Sequence, residues 1–521
     1  MPRRPARPTL RWPAALCAAL LLAPVCGVPA AAAEPPDGTY AAIDAYVQRR
    51  MQETGTPGLS YAVVGPDGPL HRAAWGTDGD GAPVTPATPF LWGSVAKPVA
   101  ATAVLALAED GELGLDDPVV DHLPRFGFGG EHARETTVRH LLAQTSGLPP
   151  SATPAVSDCR GEDCPRPADR LGALDRIDPL APPGEEYAYT SANYLVLAAV
   201  VESVTGTSFA DHLRGAVLEP AGAGGSVTDP ASARDRALPP GHLPLWGVTA
   251  PVATGLDPHG AAYGYLGGDL DDLAALASLY LREGGDVLSA DSFALMSREQ
   301  TTNGGAGTGY GLGWRVGGLD APLDGAVWHS GAAPGYSAML LLLPEDGLAL
   351  VMQQNNHGLL HDAASMDVLF GASAMLAGAP EPGDAPSRAV YLLAVAVTTG
   401  LAVWLLAAVV AATAALRRPR AGAVAPPPAA TAFRVVLGLL PVAAGAALLS
   451  VTGVDGALAW LPDIALSLAA AAAAGAASAV LWAWVAVRTR RGVPAGDPSR
   501  GRAATAARAP EGGVARPARQ D

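Results

Sequence analysis

Apolar runs of two lengths punctuate this chain, and their placement predicts its elements. Near the start, Leu59-Ser-Tyr-Ala-Val-Val64, the turn Gly65-Pro-Asp-Gly68 and Pro69-Leu-His-Arg-Ala-Ala-Trp75 read as strand, turn, strand. Ser337 to Leu343, Pro344-Glu-Asp-Gly347 and Leu348 to Gln353 repeat the design far downstream. Strands apolar at nearly every position suit the centre of a sheet covered on both faces. Between them the pattern turns helical. Val95 to Glu109 is apolar on almost all sides, as a buried helix is. Tyr194 to Thr205 is similar and stops at Gly206, and Asp269 can cap a helix running to about Arg282. The expected fold class is α/β (α+β): an antiparallel sheet built from both ends of the domain, flanked by helices, with a helical subdomain inserted. That domain occupies residues 34–385, close to the upper limit for one core, so two subdomains are expected.

The longer runs predict membrane segments. Arg3, Arg4, Arg7 and Arg11 precede an apolar stretch from Pro13 to Val28 and the small residues Ala31-Ala32-Ala33, the layout of a signal peptide over residues 1–33. Ala389 to Leu416 carries no charge over 28 residues, enough to span a bilayer. Residues 435–451 and 464–487 are two further candidates. Arg417, Arg418, Arg420, Arg434, Arg488, Arg490 and Arg491 all fall on one side only if there are three spans, with Asp455 and Asp463 on a short turn at the other. The exported domain then lies outside the cytoplasm. Residues 488–521 form a basic, disordered cytoplasmic tail facing lipid.

Charge divides along the same lines. Residues 1–33 carry +4, 417–487 carry +2 and 488–521 carry +5, which leaves −26 of the total −15 on residues 34–416. So acidic a domain excludes nucleic acid as its partner. Cys17 and Cys26 leave with the signal. Cys159 and Cys164 remain, in Ser157-Asp-Cys159-Arg-Gly-Glu-Asp-Cys164-Pro, and outside the cytoplasm they predict a local disulfide. Two thiols without further ligands do not complete a zinc site, so no metal is expected, and no organic cofactor is implied.

Lys97 is the single lysine among 34 basic residues, and it stands three positions after Ser94 in Phe90-Leu-Trp-Gly-Ser94-Val-Ala-Lys97. Arginine cannot act as a base, whereas a desolvated lysine amine can lose its proton near neutrality. One helical turn from a hydroxyl, such an amine can take the hydroxyl's proton. The serine at the start of a buried helix also sits at its positive end, where developing negative charge is favoured. Two more clusters follow: Pro183-Gly-Glu-Glu-Tyr-Ala-Tyr189-Thr-Ser191-Ala-Asn-Tyr194, and Trp328-His329-Ser330-Gly331-Ala332-Ala-Pro-Gly335-Tyr336.

In this order the clusters resemble the serine β-lactamase and penicillin-binding-protein superfamily, nearest its class C β-lactamase, DD-carboxypeptidase and esterase branch. His140-Leu-Leu-Ala-Gln-Thr-Ser146-Gly147-Leu-Pro, Gly111-Glu-Leu-Gly-Leu-Asp-Asp117-Pro and Tyr310-Gly-Leu-Gly-Trp314 support the likeness, which covers most of residues 40–375. The resemblance implies Ser94 as acylated nucleophile and Lys97 as its base. It implies Tyr189 as proton carrier, its phenolate favoured by nearby Lys97, and the amides of Ser94 and Ala332 as oxyanion hole. Ser191 stands where the family more often has Asn and would hold Lys97 or a substrate amide. His329 replaces the commoner lysine and would face a substrate carboxylate or the Tyr–Lys pair; at an ordinary pKa of ~6.5 it would be mostly neutral at pH 7. Ser330 would donate a hydrogen bond to the ligand, and Gly331 would let substrate backbone come close. Ser146, Gly147 and Trp314 are expected to be structural, and His140 and His357 structural or loop residues. The function implied is a membrane-anchored serine acyl hydrolase acting on D-alanyl peptides, with esters or β-lactams as alternative substrates. A sensor acylated by β-lactams without turnover is the alternative from another class. Membrane lipid is the other expected partner, and oligomeric state has no signature.

Overall fold

The structure is a computed structural model that describes residues 36–161, 163–298, 300–302, 308–384, 387–417 and 427–491. The expected signal segment and the tail beyond residue 491 lie outside the described residues, as do residues 385 and 386 of the linker to the membrane region.

Helix α1 (Thr39–Thr54) leads into β1 (Gly58–Gly65) and β2 (Gly68–Gly76). After the inserted helical region come the short β5 (Arg315–Gly317), preceded in the chain by the hairpin β3 (Gly241–Leu245) and β4 (Val248–Val252), and then β6 (Val327–Ala333), β7 (Tyr336–Leu343) and β8 (Leu348–Gln354). The main sheet runs β2-β1-β8-β7-β6-β5, continued by Thr308–Tyr310 and Thr301–Thr302. Its centre is the antiparallel pairing of β1 with β8, from Leu59 opposite Gln354 to Val64 opposite Ala349. The two ends of the domain thus meet in adjacent strands.

Every residue of β1, β7 and β8 is buried, because both faces of the sheet are covered. Alternation along the strands sends side chains into two cores. Tyr61, Val63, Leu341, Leu350 and Met352 pack under α1 and α5 (Asp362–Leu376). Ala62, Val64, Leu340, Leu342 and Val351 face the helical region on the other side, which includes α2 (Ala96–Glu109), α3 (Ala192–Thr205) and α4 (Leu270–Leu281). A fully buried Leu or Val stabilises by roughly 1.5–3 kcal/mol, so a one-residue register slip, which exchanges the two sets, is strongly disfavoured. Asp269 caps α4 as expected, accepting from the amides of Asp271 and Asp272 at 3.0 Å each. The disulfide Cys159–Cys164 is formed.

Three helices follow that are long and apolar enough to cross a membrane: α6 (Ala389–Arg417), α7 (Pro428–Trp460) and α8 (Pro462–Arg491). Helix α7 extends past the expected boundary at Val451. It kinks at Gly453, where the backbone leaves helical geometry (φ 67°, ψ 174°), and a short helical segment continues to Trp460. The turn expected around Asp455 is therefore mostly helix.

Candidate active site

Gly93 makes the local geometry of the Ser94 turn. It adopts a left-handed conformation (φ +55°), and a side chain there would overlap the backbone of Ala332. A 3-10 turn over Gly93–Val95 then feeds directly into α2, leaving Ser94 half-buried and Lys97 fully buried. Lys97 Nζ lies 2.9 Å from Ser94 Oγ, 3.2 Å from Ser191 Oγ and 2.8 Å from the carbonyl of Tyr263. An ammonium donates to all three. A neutral amine keeps two donors for Ser191 and Tyr263 and has its lone pair left for the Ser94 proton. Burial pushes the Lys97 pKa down to about 7, helped by the charge of Arg315 and opposed by Asp158. Both protonation states are therefore populated near neutrality, as a general base requires.

Ser191 and Tyr189 come from the turn before α3. Buried polar groups from the His140–Leu148 stretch hold this turn. Gln144 Oε1 accepts from the Thr190 amide at 3.0 Å and from Asn193 Nδ2 at 2.6 Å, and Ser146 Oγ donates to Asn193 Oδ1 at 2.6 Å. Ser146 thus does the structural work expected of it. His140 Nδ1 accepts from the Thr137 amide at a helix start, and Trp314 is buried edge-on against Tyr280.

Three expectations change. The Tyr189 ring lies 5.0 Å from Lys97 Nζ, but its hydroxyl is no phenolate: burial raises its pKa to about 12, against the lowering influence of Arg315 and of contact with Ser94. Desolvation outweighs the pull of the Arg315 charge. The resting Tyr189 is a proton donor. His329 is buried behind the pocket rather than lining it. Its Nδ1 donates to the Ser330 carbonyl at 2.7 Å, and its ring packs 6.0 Å from Tyr189 and 6.2 Å from Tyr310. Burial, then the charges of Arg315 and Lys97, hold its pKa well below 6.5. Enclosed there, the imidazole does not line the cavity to meet a substrate carboxylate; it faces Tyr189, the other contact expected of it. Finally, a Cβ on Gly331 would strike the Trp92 carbonyl and the Ser94 amide. That glycine lets β6 approach the Ser94 turn, and it also lines the cavity.

Arg315, which the sequence reading passed over, brings a cation to the cavity. It lines the cavity from β5, directly after Tyr310-Gly-Leu-Gly-Trp314 and opposite Trp328 in the sheet. Its guanidinium carbon sits 5.2 Å over the Tyr189 ring and 5.3 Å over Trp328, and its Nε is buried without a partner. The only signal in the sequence was its position after that motif. Tyr263 was also missed, since it contributes a backbone carbonyl that leaves no mark on residue type. Its hydroxyl donates to Asp257 at 2.6 Å; Asp257 accepts a bidentate pair from Arg170 at 2.5 and 2.8 Å and the Cys159 amide at 3.1 Å. This buried ion pair ties the disulfide loop to the Lys97 acceptor.

The cavity, about 310 Å³, is lined by Ser94, Tyr189, Ser191, Arg315 and the strand Ser330–Ala333, among others. A hydroxyl beside a buried amine, a protonated tyrosine, a strand backbone and a fixed cation form a site for nucleophilic acyl chemistry. Among the described residues there is no cluster of side chains suited to a metal ion.

Fold and site define a β-lactamase/transpeptidase-type protein. The family model described as Beta-lactamase matches residues 43–369, and the chain belongs to this family, whose members are as a rule serine hydrolases. Penicillin-binding protein 4 of Amycolatopsis lactamdurans is 34% identical over 318 residues, covering 58% of this chain and 82% of that protein. The octameric penicillin-binding protein homologue from Pyrococcus abyssi superimposes with a TM-score of 0.54 at 24% identity, over 64% of this chain and 77% of its own. EstCE1, a hydrolase with promiscuous acyltransferase activity, gives 0.56 at 20% identity, over 65% and 97%. These two likenesses concern the fold.

Proposed function

We propose that the protein is a membrane-anchored serine acyl hydrolase whose catalytic domain, residues 34–385, works outside the cytoplasm after removal of residues 1–33. The supporting observation is the 2.9 Å contact between Ser94 Oγ and a Lys97 amine whose pKa is near 7. In this reading Lys97 takes the Ser94 proton as Oγ bonds to the substrate carbonyl carbon. The amides of Ser94 and Ala332 stabilise the resulting oxyanion. Tyr189, protonated at rest, delivers its proton to the leaving group as the old acyl bond breaks, and Lys97 restores it. Water, its proton taken up through the same pair, then attacks the ester carbonyl, and that proton passes to Ser94 Oγ as the acyl–serine bond breaks. Ser191 keeps Lys97 aimed, and Ser330 hydrogen-bonds the ligand.

Arg315 favours a substrate carrying a carboxylate near the scissile bond, as a D-alanyl peptide does. The domain's excess of acidic residues does not oppose this, since distant surface charge is screened beyond ~8–10 Å while the guanidinium acts at contact. The relative named penicillin-binding protein 4 supports a serine that penicillin can acylate, and esters are the second choice of substrate. In this reading three spans would put the Arg clusters and the tail on the cytoplasmic side.

The test is to expose the full-length protein in detergent to a fluorescent penicillin and follow label on Ser94. Label that forms and vanishes within minutes supports turnover. Label that lasts for hours supports the sensor role instead. No label together with no ester or D-alanyl peptide hydrolysis defeats both.

A further inference from the structure

The catalytic domain does not enclose its own cavity. Trp460, the last residue of α7, lines it along with His357, Leu359 and Met366. Its indole meets the His357 ring edge to face, with centroids 5.5 Å apart. His357 is buried, so this edge is packed rather than hydrated.

The helical bundle around this residue is held to the domain by contacts on two sides. On one, Arg160 of the disulfide loop donates from Nη1 to the Asp455 carbonyl at 3.3 Å and from Nη2 to the Tyr265 hydroxyl at 3.2 Å; Tyr265 itself lines the cavity. On the other, the β3–β4 hairpin is bound to the helical bundle. The Trp246 amide donates to Asp463 Oδ2 at 3.0 Å, the Trp246 indole to Ser467 Oγ at 3.2 Å, and the Gly247 amide to the Tyr391 hydroxyl at 3.0 Å. Tyr391 in turn donates to Asp463 at 2.8 Å. The base of the same hairpin packs on the turn between β6 and β7, where the His242 amide donates to the Gly335 carbonyl at 3.1 Å. The kink at Gly453 is what carries the end of α7 to this position. Four hydrogen bonds between the domain and a bundle whose other task is anchorage, gathered beside one rim, point to a role at the site.

We infer that Trp460 is a specificity-determining residue: the end of the membrane bundle sets the width of the acyl pocket, so that slender acyl donors enter and those with an aromatic or branched group beside His357 are turned away. The inference rests on the acyl-hydrolase reading above. A rigid apolar wall discriminates by size, and each misfit methylene in such a pocket is worth about 10- to 200-fold. The wall belongs to the anchor, which makes the pocket complete only in the membrane-bound chain.

The test uses full-length protein in detergent micelles and two substrates, p-nitrophenyl acetate and p-nitrophenyl phenylacetate. Trp460→Ala is expected to raise the phenylacetate-to-acetate ratio of kcat/KM about tenfold, chiefly through KM. Trp460→Phe, which keeps an apolar ring and serves where the alanine variant does not insert, is expected to move the ratio about two- to threefold the same way. Trp484→Ala, on the exposed surface of α8, is the control and leaves it in place. A ratio unmoved by both Trp460 variants, or moved equally by Trp484→Ala, overturns the inference while leaving the hydrolase reading intact. A wild-type protein that cleaves neither ester and takes no label on Ser94 defeats the hydrolase reading, and the inference with it.

Discussion

The floor and the rim of the cavity are built by opposite means. The floor comes from short spans of chain: Ser94 and Lys97 lie one turn apart, and Tyr189 and Ser191 two residues apart, so backbone geometry alone sets most of their relations. The rim joins Arg315 from a three-residue strand, His357 from a loop after β8 and Trp460 from a kinked apolar helix. The contrast teaches a division of labour. Reacting atoms need sub-ångström placement, which a local turn gives cheaply. Charge and width tolerate looser placement and can be left to distant parts of the fold.

If the floor alone carries the chemistry, Ser94→Ala has the largest effect, lowering the rate of labelling and turnover by at least ~10³-fold. A retained covalent label would break the contrast at once, because no rim residue could replace the nucleophile. Lys97→Arg keeps the charge but not the base, and is expected to cost about 10²–10⁴-fold. The same residue predicts the pH profile. Its folded pKa is near 7, so acylation rises with pH through about 7 as the amine sheds its proton. A flat profile from pH 5 to 9 in stopped-flow labelling contradicts the base assignment. The stability consequence has the same sign: with a depressed folded pKa the unfolded chain binds more protons between pH 7 and the ordinary lysine value, so the Lys97 contribution becomes more favourable as pH rises through that window.

The two regions are joined by Asp257, and removing it tests whether floor and rim are separable. Asp257→Ala strands Arg170 without its partner in a buried site, which is expected to cost about 3–5 kcal/mol of stability by chemical denaturation. A loss under 1 kcal/mol would mean the network does not brace the site. Arg315→Ala has the smallest expected effect and sharpens the comparison most. It lowers kcat/KM for carboxylate-bearing substrates by about 10- to 100-fold while sparing neutral esters. It also removes a cation that depresses Lys97, so the rising limb moves to higher pH. Equal losses on charged and neutral substrates would remove its recognition role.

The floor was legible because chemistry and spacing coincide there. A lone lysine in an arginine-rich chain, three residues after a serine, marks itself, and the apolar strands at both ends of the domain announce the sheet. His329 shows where that reading divides: it faces Tyr189, one of its two expected contacts, and not the cavity. Its place in a motif identified the strand correctly, but not that burial beneath Tyr310 and Tyr189 would take its ring out of the cavity. Tyr189 erred in the same way: proximity to Lys97 argued for a phenolate, and only the depth of the site reveals that desolvation prevails. Gly331 was flagged for close approach, and what approaches it is the protein's own Ser94 turn.

By itself the sequence determined which groups can exchange a proton, which strands are covered on both faces and which helices are apolar enough to span a bilayer. Those are properties of residue type and period, readable along one dimension. The tertiary structure alone decided which cation lines the cavity, which protonation states rest in the site and that the end of α7 reaches the cavity rim. Each of those depends on distance and desolvation among groups far apart in the chain, and neither quantity exists until the chain has packed.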